Sequence, residues 1–430
     1  MPTSSPAAHQ RRLARRGRME APSMPAPAGS EMSGALRARI AIHNVGEFDQ
    51  RLIRDWVGQA TQAQQLSLGG AVATCMLPVI PRFIAEGDLE LHGQIGEKQA
   101  PPRFTTIKLA GTNFDVPAEV QFFLEDRVTN ERFVLQVEDY HDGDYRISVH
   151  GRSTTSKLDE LREYANCHNP LRGQTFDLRG KVLNLDAAET RQVILTPEQS
   201  TAIDRHILGF ATRFDQLKTR RARLSRGVLL EGVPGCGKSL LLRTLPHRLP
   251  GFSACLATPE QIARHGSLET LQQLIEMTAP CAVFLEEIDL FGSDRNLGGG
   301  PSMAELMQMM DGLRHIPGVL WIATTNRPET VEAALADRPG RFDRRIAFGP
   351  LDMETRTRLI TELIKPQEIE SEALQQFVQN SDGWTGAQVR ELCETLRLLS
   401  DGEVFTSAEL DEALADCDFY GLGTFGFRQG

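Results

Sequence analysis

The stretch "EGVPGCGKSLLL" (residues 231–242) sets three glycines around one lysine and one serine. Glycine loses more backbone entropy on folding than other residues, so such a cluster needs a reason. The stretch fits G-x-x-x-x-G-K-[ST] through Gly232, Gly237, Lys238 and Ser239. An apolar run from Gly227 to Leu230 precedes it and a Leu-rich run follows. A strand, a bare loop and a helix start therefore follow one another, and that order gives the motif its meaning.

The chemistry accounts for the spacing. Backbone N–H groups of residues 235–239 can form a concave nest at a helix N-terminus, where the helix dipole also favours an anion. Side chains at Gly235 and Gly237 would block close approach of a phosphate chain. Lys238 can then reach the β and γ phosphates, and the Ser239 hydroxyl can bind Mg²⁺. The segment Gly232, Val233, Pro234, Gly235, Cys236, Gly237, Lys238, Ser239 and Leu240 is the expected nucleotide cradle. Within it, Cys236 lies beside a helix N-terminus and Lys238, both of which lower a thiol pKa, so a reactive thiol is one expectation and a small inert filler the other.

Bulk properties limit the function. The chain has 430 residues, enough for two or three domains, and a net charge of −10. That acidity argues against a broad nucleic-acid grip, which needs a basic face. The longest apolar runs fall short of the roughly 18 residues that suggest a membrane span. Seven scattered cysteines without a C-x-x-C pair, and ten histidines without an H-E-x-x-H spacing, indicate no disulfide framework and no zinc site. A reducing, cytoplasmic setting fits.

Four regions follow from the pattern. Residues 1–34 are Pro-, Ala-, Ser- and Arg-rich, with five arginines before Glu20. They read as a disordered tail or, alternatively, an organelle transit peptide. Residues 35–190 read as an α+β domain for client or adaptor binding, or as a scaffold. In it, residues 36–86 are expected to be helical, and 88–152 show period two with a hairpin signal at Asp142 and Gly143. "SKLDELREYANCHN" reads as a helix, and "LRGQTFDLRGKVLNLD" as extended chain. Residues 191–350 open on "LTPEQSTAIDRHI", where Thr196, Pro197 and Gln199 form a helix start, repeated at Thr258 to Gln261. The runs "GVLLE", "FSACLA", "CAVFLE", "GVLWIAT" and "RIAFG" then alternate with helices, which indicates a parallel α/β sheet with helices on both faces. Residues 351–430 are expected to be a helical lid and tail, with a capping box at Thr406 and Glu409.

The decisive constellation is "CAVFLEEIDLF" (281–291), "WIATTNRPE" (321–329), "ADRPGRFDRRI" (336–346) and "GWTGAQVRELCE". In this order and spacing the elements resemble the AAA ATPases of the P-loop NTPase superfamily, over residues 190–416. The resemblance implies an ATP-hydrolysing AAA+ enzyme with ATP and Mg²⁺, assembled as a homo-oligomeric, hexameric ring and acting on a protein client. It makes residues 232–239 the Walker A motif and Glu286 and Glu287 the Walker B acids, Glu286 on the magnesium side and Glu287 polarising water. It makes Asn326 sensor 1, Arg341 and Arg344 arginine fingers acting on a neighbour, and Gly386 and Ala387 the segment near the adenine.

Two departures from the family pattern stand out. Glu286 occupies a position where the family usually carries Asp, which moves the carboxylate outward by about 1.5 Å. At the first pore loop, where threading members carry an aromatic step, this chain reads Arg264, His265, Gly266. The second pore-loop region matches the Gly298 to Gly300 run. A nucleotide-gated scaffold with little turnover is the competing expectation. A DNA-acting relative such as a clamp loader fits the acidic charge less well.

Overall fold

The computed structural model describes residues 50–58, 62–96, 101–109, 111–140, 144–185, 193–265, 268–291, 302–335, 341–400 and 404–417. The first portion is an antiparallel sheet of β1 (Gln62–Leu68), β2 (Leu89–Ile95), β3 (Arg103–Leu109), β4 (Thr112–Asp126), β5 (Glu131–Asp139) and β6 (Tyr145–Gly151), in the order β1-β6-β5-β4-β2 with β3 also on β4. The period-two run is thus strand. Asp142 and Gly143 lie outside the described residues, but the strands they join pair antiparallel down to Asp139 opposite Tyr145.

Helices α1 (Gln50–Val57), α2 (Gly70–Met76), α3 (Ile80–Glu86) and α4 (Thr154–His168) pack on this sheet. The expectation of helices throughout 36–86 is corrected at β1, a strand pairing with β6 from Gln62 opposite Gly151 to Leu68 opposite Tyr145. Its sequence, QAQQLSL, carries no alternation because most of its side chains are exposed at a sheet edge. Pairing, rather than burial of one face, makes it a strand.

The second sheet is parallel throughout, in the order β12-β8-β11-β10-β9-β7. It comprises β7 (Thr175–Asp177), β8 (Ser225–Gly232), β9 (Ser253–Ala257), β10 (Cys281–Leu285), β11 (Val319–Thr325) and β12 (Arg344–Phe348). Every residue of β10 and β11 is buried, as expected of central strands covered on both faces. One face carries α5 (Pro197–Ile203), a π-turn over Asp204–Leu208, α6 (Gly209–Thr212), α7 (Phe214–Thr219) and α8 (Lys238–Thr244), whose Ile203, Ile207, Phe210, Phe214 and Leu241 pack on Val228, Leu230, Phe284 and Ile322. The capping box of Thr196 and Gln199 starts α5.

The other face carries α9 (Pro259–His265), α10 (Leu268–Thr278) and α11 (Met303–Gly312). Its apolar cluster does not stop at the domain edge. Leu271, Leu274 and Ile275 of α10 belong to the same cluster as Leu68, Met76, Phe83 and Leu158 of the N-terminal portion. Asn169 also donates to the Met277 carbonyl at the end of α10, at 2.8 Å. Thr175–Asp177, expected as N-terminal extended chain, instead forms the outermost strand of the parallel sheet, on β9. After α12 (Pro328–Leu335) and β12, helices α13 (Met353–Leu363), α14 (Ser371–Asn380), α15 (Gly386–Leu399) and α16 (Ser407–Asp416) enclose a separate core around Ile360, Phe377, Leu392 and Leu410.

Candidate active site

The loops leaving the C-terminal ends of β8, β11 and β10, three adjacent strands, hold the expected site. Open α/β sheets bind ligands at that edge. The loop after β8 turns into α8 through Gly237, with φ of 88° in the left-handed region. A Cβ on Gly237 would meet nothing within 4 Å, so glycine is required there by the backbone alone.

Gly235 is constrained differently. A Cβ on it would lie 2.9 Å from the Cβ of Ala387 and 3.1 Å from Thr385 Oγ1. The Ala387 N–H donates to the Gly235 carbonyl at 3.0 Å. The glycine loop and the start of α15 are therefore in direct contact, and the capping box of Thr385 and Gln388 fixes that start. Gly386 and Ala387, expected near the adenine, lie at the helix start that meets the glycine loop.

Lys238 is buried, and its ammonium donates to the carbonyls of Gly232 and Val233 at 2.6 and 2.8 Å. Burial lowers its pKa, while Cys236, Asp289 and Glu287 act in the opposite direction. The expectation of an acidified Cys236 is corrected. Burial pushes its thiol pKa up, and the neighbouring Lys238 only partly offsets this. Ser239 is exposed on the first turn of α8.

The acids after β10 are set by an unusual backbone. Glu287 has φ of 51°, in the left-handed region where a non-glycine residue is strained. Two contacts hold it: its N–H donates to the buried Thr324 Oγ1 at 2.9 Å, and Asn326 Nδ2 donates to its Oε1 at 3.1 Å. Glu286 is half-buried, and burial raises its pKa, with Arg243 lowering and Glu287 raising it further.

Asp289 is a residue missed from sequence. Its Oδ1 accepts from Thr325 Oγ1 at 2.8 Å and from the Asn326 N–H at 3.2 Å, locking the turn that carries Asn326. The signal was present: it is the third acid of "EEID", two residues beyond Glu287.

The two arginines part company. Arg341 is 4% exposed, and its guanidinium is gripped by Asp311 at the end of α11, with Nε to Oδ1 at 3.2 Å. Arg344 is exposed and opens β12 opposite Val228. Val228 lies four residues before Gly232 on β8, roughly 13 Å along the strand. That exceeds the reach of one arginine side chain, so Arg344 does not meet its own glycine loop. Asp343 is held by Arg223 at 3.1 and 3.2 Å. Arg338, Gly266 and Gly298 to Gly300 lie outside the described residues, as do the side chains of Arg264 and His265.

A glycine loop between a central parallel strand and a helix, with acids and an amide on the neighbouring strand ends, defines a P-loop NTPase domain. The family model described as "ATPase family associated with various cellular activities (AAA)" matches residues 228–350. The chain carries an AAA domain of the AAA+ class. It is 31% identical over 219 residues to the ATP-dependent zinc metalloprotease FtsH of Synechococcus sp., covering 48% of this chain and 34% of that protein. It is also 31% identical over 228 residues to FtsH 1 of Symbiobacterium thermophilum, covering 50% and 38%, and 34% identical over 209 residues to FtsH 1 of Thermoanaerobacter sp., covering 45% and 34%. The chain thus spans 34–38% of the length of these three relatives. Among the described residues, no group of three or more His, Cys, Asp or Glu is arranged to hold a metal ion. No helix among them is long and apolar enough to cross a membrane.

Proposed function

We propose that the chain binds ATP with Mg²⁺ and hydrolyses it, that it assembles into a homo-oligomeric, hexameric ring, and that it remodels a protein client engaged by its N-terminal domain. One observation carries the reading: the Asn326 amide holds the strained Glu287 carboxylate at the strand edge that also presents Lys238. The relatives' name, ATP-dependent protease, supports both ATP use and a protein client.

The residues fit a Mg-nucleotide. Ser239 supplies an exposed hydroxyl and Glu286 a carboxylate, hard oxygen donors of the kind Mg²⁺ takes. Bound there, Mg²⁺ would neutralise phosphate charge. Lys238 would exchange its carbonyl partners for phosphate oxygens, and its depressed pKa reflects the burial that such a charged ligand would offset. Glu287, aimed by Asn326, accepts the proton of the attacking water. Asp289 keeps Asn326 in register. Arg344 supplies a cation to a neighbouring copy's phosphates, and Arg341, anchored on Asp311, fixes the turn that delivers it. The free cysteines suit a reducing, cytoplasmic compartment.

Glu286, standing where the family usually carries Asp, favours a second reading, a nucleotide-gated assembly with little turnover. Turnover of Mg-ATP by the full chain separates the two. Glu287→Gln should keep nucleotide binding and lose turnover by about 10²–10⁴-fold. Equal turnover in variant and wild type would remove Glu287 from the mechanism. Mixing Glu287→Gln with Arg344→Ala subunits should restore part of the activity if the arginine acts across an interface.

A further inference from the structure

Arg344 does not stand alone. In β12 it shares a face with Ile346 and Phe348, and opposite them Arg226 shares a face with Val228 and Leu230. The four apolar residues pack together with Ile203 and Ile207. Arg226 and Arg344 therefore stand as diagonal neighbours at one end of an apolar stripe, beside the Asp204–Leu208 π-turn. Such turns are rare and frequently mark functional positions. This one presents His206, whose Nδ1 lies 2.7 Å from Arg226 Nη2.

The charges are not balanced. Among the described residues, Arg205, His206, Arg223, Arg226 and Arg344 gather near Asp343, which Arg223 already holds. Arg226 Nε is buried and has no hydrogen-bond partner among the described residues. Asp204, on the same turn as His206, is held by Arg248 at 3.3 Å. Exposed Arg344 and half-buried Arg226, standing as neighbours, can offer guanidinium N–H groups to an anion with several oxygens. Their own glycine loop is out of reach, so a phosphate held there is not the anion they would meet.

We propose that Arg226 is the second cation of the site completed across the subunit interface, paired with Arg344 and held in place by a neutral His206 imidazole. The anion is the phosphate end of a nucleotide held by a second copy of the chain, so the inference rests on the trans reading above. Arg226 can donate to His206 only while Nδ1 carries a lone pair. Protonation removes that acceptor and adds a cation facing Arg226 from β8, Arg344 from β12 and Arg205 from its own turn. Burial, then Arg226, Arg344 and Arg205, lower the His206 pKa from its ordinary 6.5, so the switch operates on the acid side of that value.

The test is steady-state turnover of Mg-ATP by the full chain. Arg226→Ala and Arg344→Ala should each lower kcat by at least about 10²-fold, with the KM for ATP little changed because the cis pocket is intact. Arg226→Lys should recover part of the loss and keeps the test readable if the alanine variant fails to fold. Between about pH 7 and about pH 5 wild-type kcat should fall, and His206→Asn, which keeps an acceptor but cannot titrate, should remove that fall. Glu286 is the same in both proteins, so it cannot produce the difference. Loss of kcat in Arg344→Ala with wild-type kcat in Arg226→Ala overturns this inference and leaves the trans reading standing. Wild-type kcat in both overturns the trans reading itself. An unchanged acid fall in His206→Asn overturns the role of His206.

Discussion

The N-terminal sheet and the C-terminal helical lid flank the same parallel sheet but are joined to it in different ways. The N-terminal sheet shares one continuous apolar core with α10, and its chain runs directly into β7. The lid keeps a core of its own and touches the glycine loop through the Gly235–Ala387 contact. Apolar burial is strong and insensitive to small shifts, whereas one hydrogen bond is lost when the loop moves by a fraction of an ångström. The lid is thus expected to respond to what the glycine loop holds, and the N-terminal sheet to move with the α/β body as one piece.

The largest expected effect that tests this contrast comes from the N-terminal sheet. Asp126 and Lys157 form a buried ion pair, and Asp126 also accepts from the N–H groups of Val128 and Thr129 at 2.8 and 3.0 Å. Burial pushes the Asp126 carboxyl pKa up, but the bonds from Lys157 and the two N–H groups outweigh it, and the pKa ends below the usual value. A carboxylate depressed in the folded state adds stability above its unfolded pKa, and that stability is lost as pH falls through the folded value. Asp126→Ala should cost about 3–5 kcal/mol. Glu160, at 3.3 Å from Lys157, brings the cost toward the lower end of that range. Thermal melts should show the α/β body destabilised together with the sheet, and the variant should lose part of the acid dependence seen below roughly pH 4. Separate melting of the two would break the one-piece picture.

Leu274→Ala opens a cavity in the shared core and should cost roughly 2–5 kcal/mol, again in a single transition. Hydrogen exchange should accelerate in α4 and α10 together and not in α15. The smallest change, Gly235→Ala, combines a left-handed backbone at φ of 80° with a 2.9 Å contact to Ala387 and should cost about 1–3 kcal/mol. Its signature is local: faster exchange at the start of α15, weaker nucleotide binding and an unchanged N-terminal sheet. Equal loosening of lid and sheet would erase the distinction between the two junctions.

Much of the site was legible in sequence because its parts are local. The glycine loop, the acids ending β10, the Asn ending β11 and the helix starts at Thr196, Thr258 and Thr406 are each written within a few adjacent residues. Central parallel strands announced themselves as short, mostly apolar runs. The edge strands did not. β1 is polar and β7 is three residues long, so neither carries a periodic signal strong enough to separate it from helix or loop.

What the sequence by itself determined is the chemistry available: a glycine loop with its lysine, two strand-end acids, a strand-end amide and a helical portion from residue 351. What only the tertiary structure decided is which of several possible partners each charged or polar group meets. Arg341 could have paired with Asp337 or Asp343 beside it, but, buried itself, finds Asp311, thirty residues away. Asp289 locks Asn326 across two strands, and Cys236 loses its acidity to burial. The reason is common to all three. Hydrogen-bond geometry and desolvation depend on what the rest of the chain places within a few ångströms, and that distance is not encoded in sequence separation.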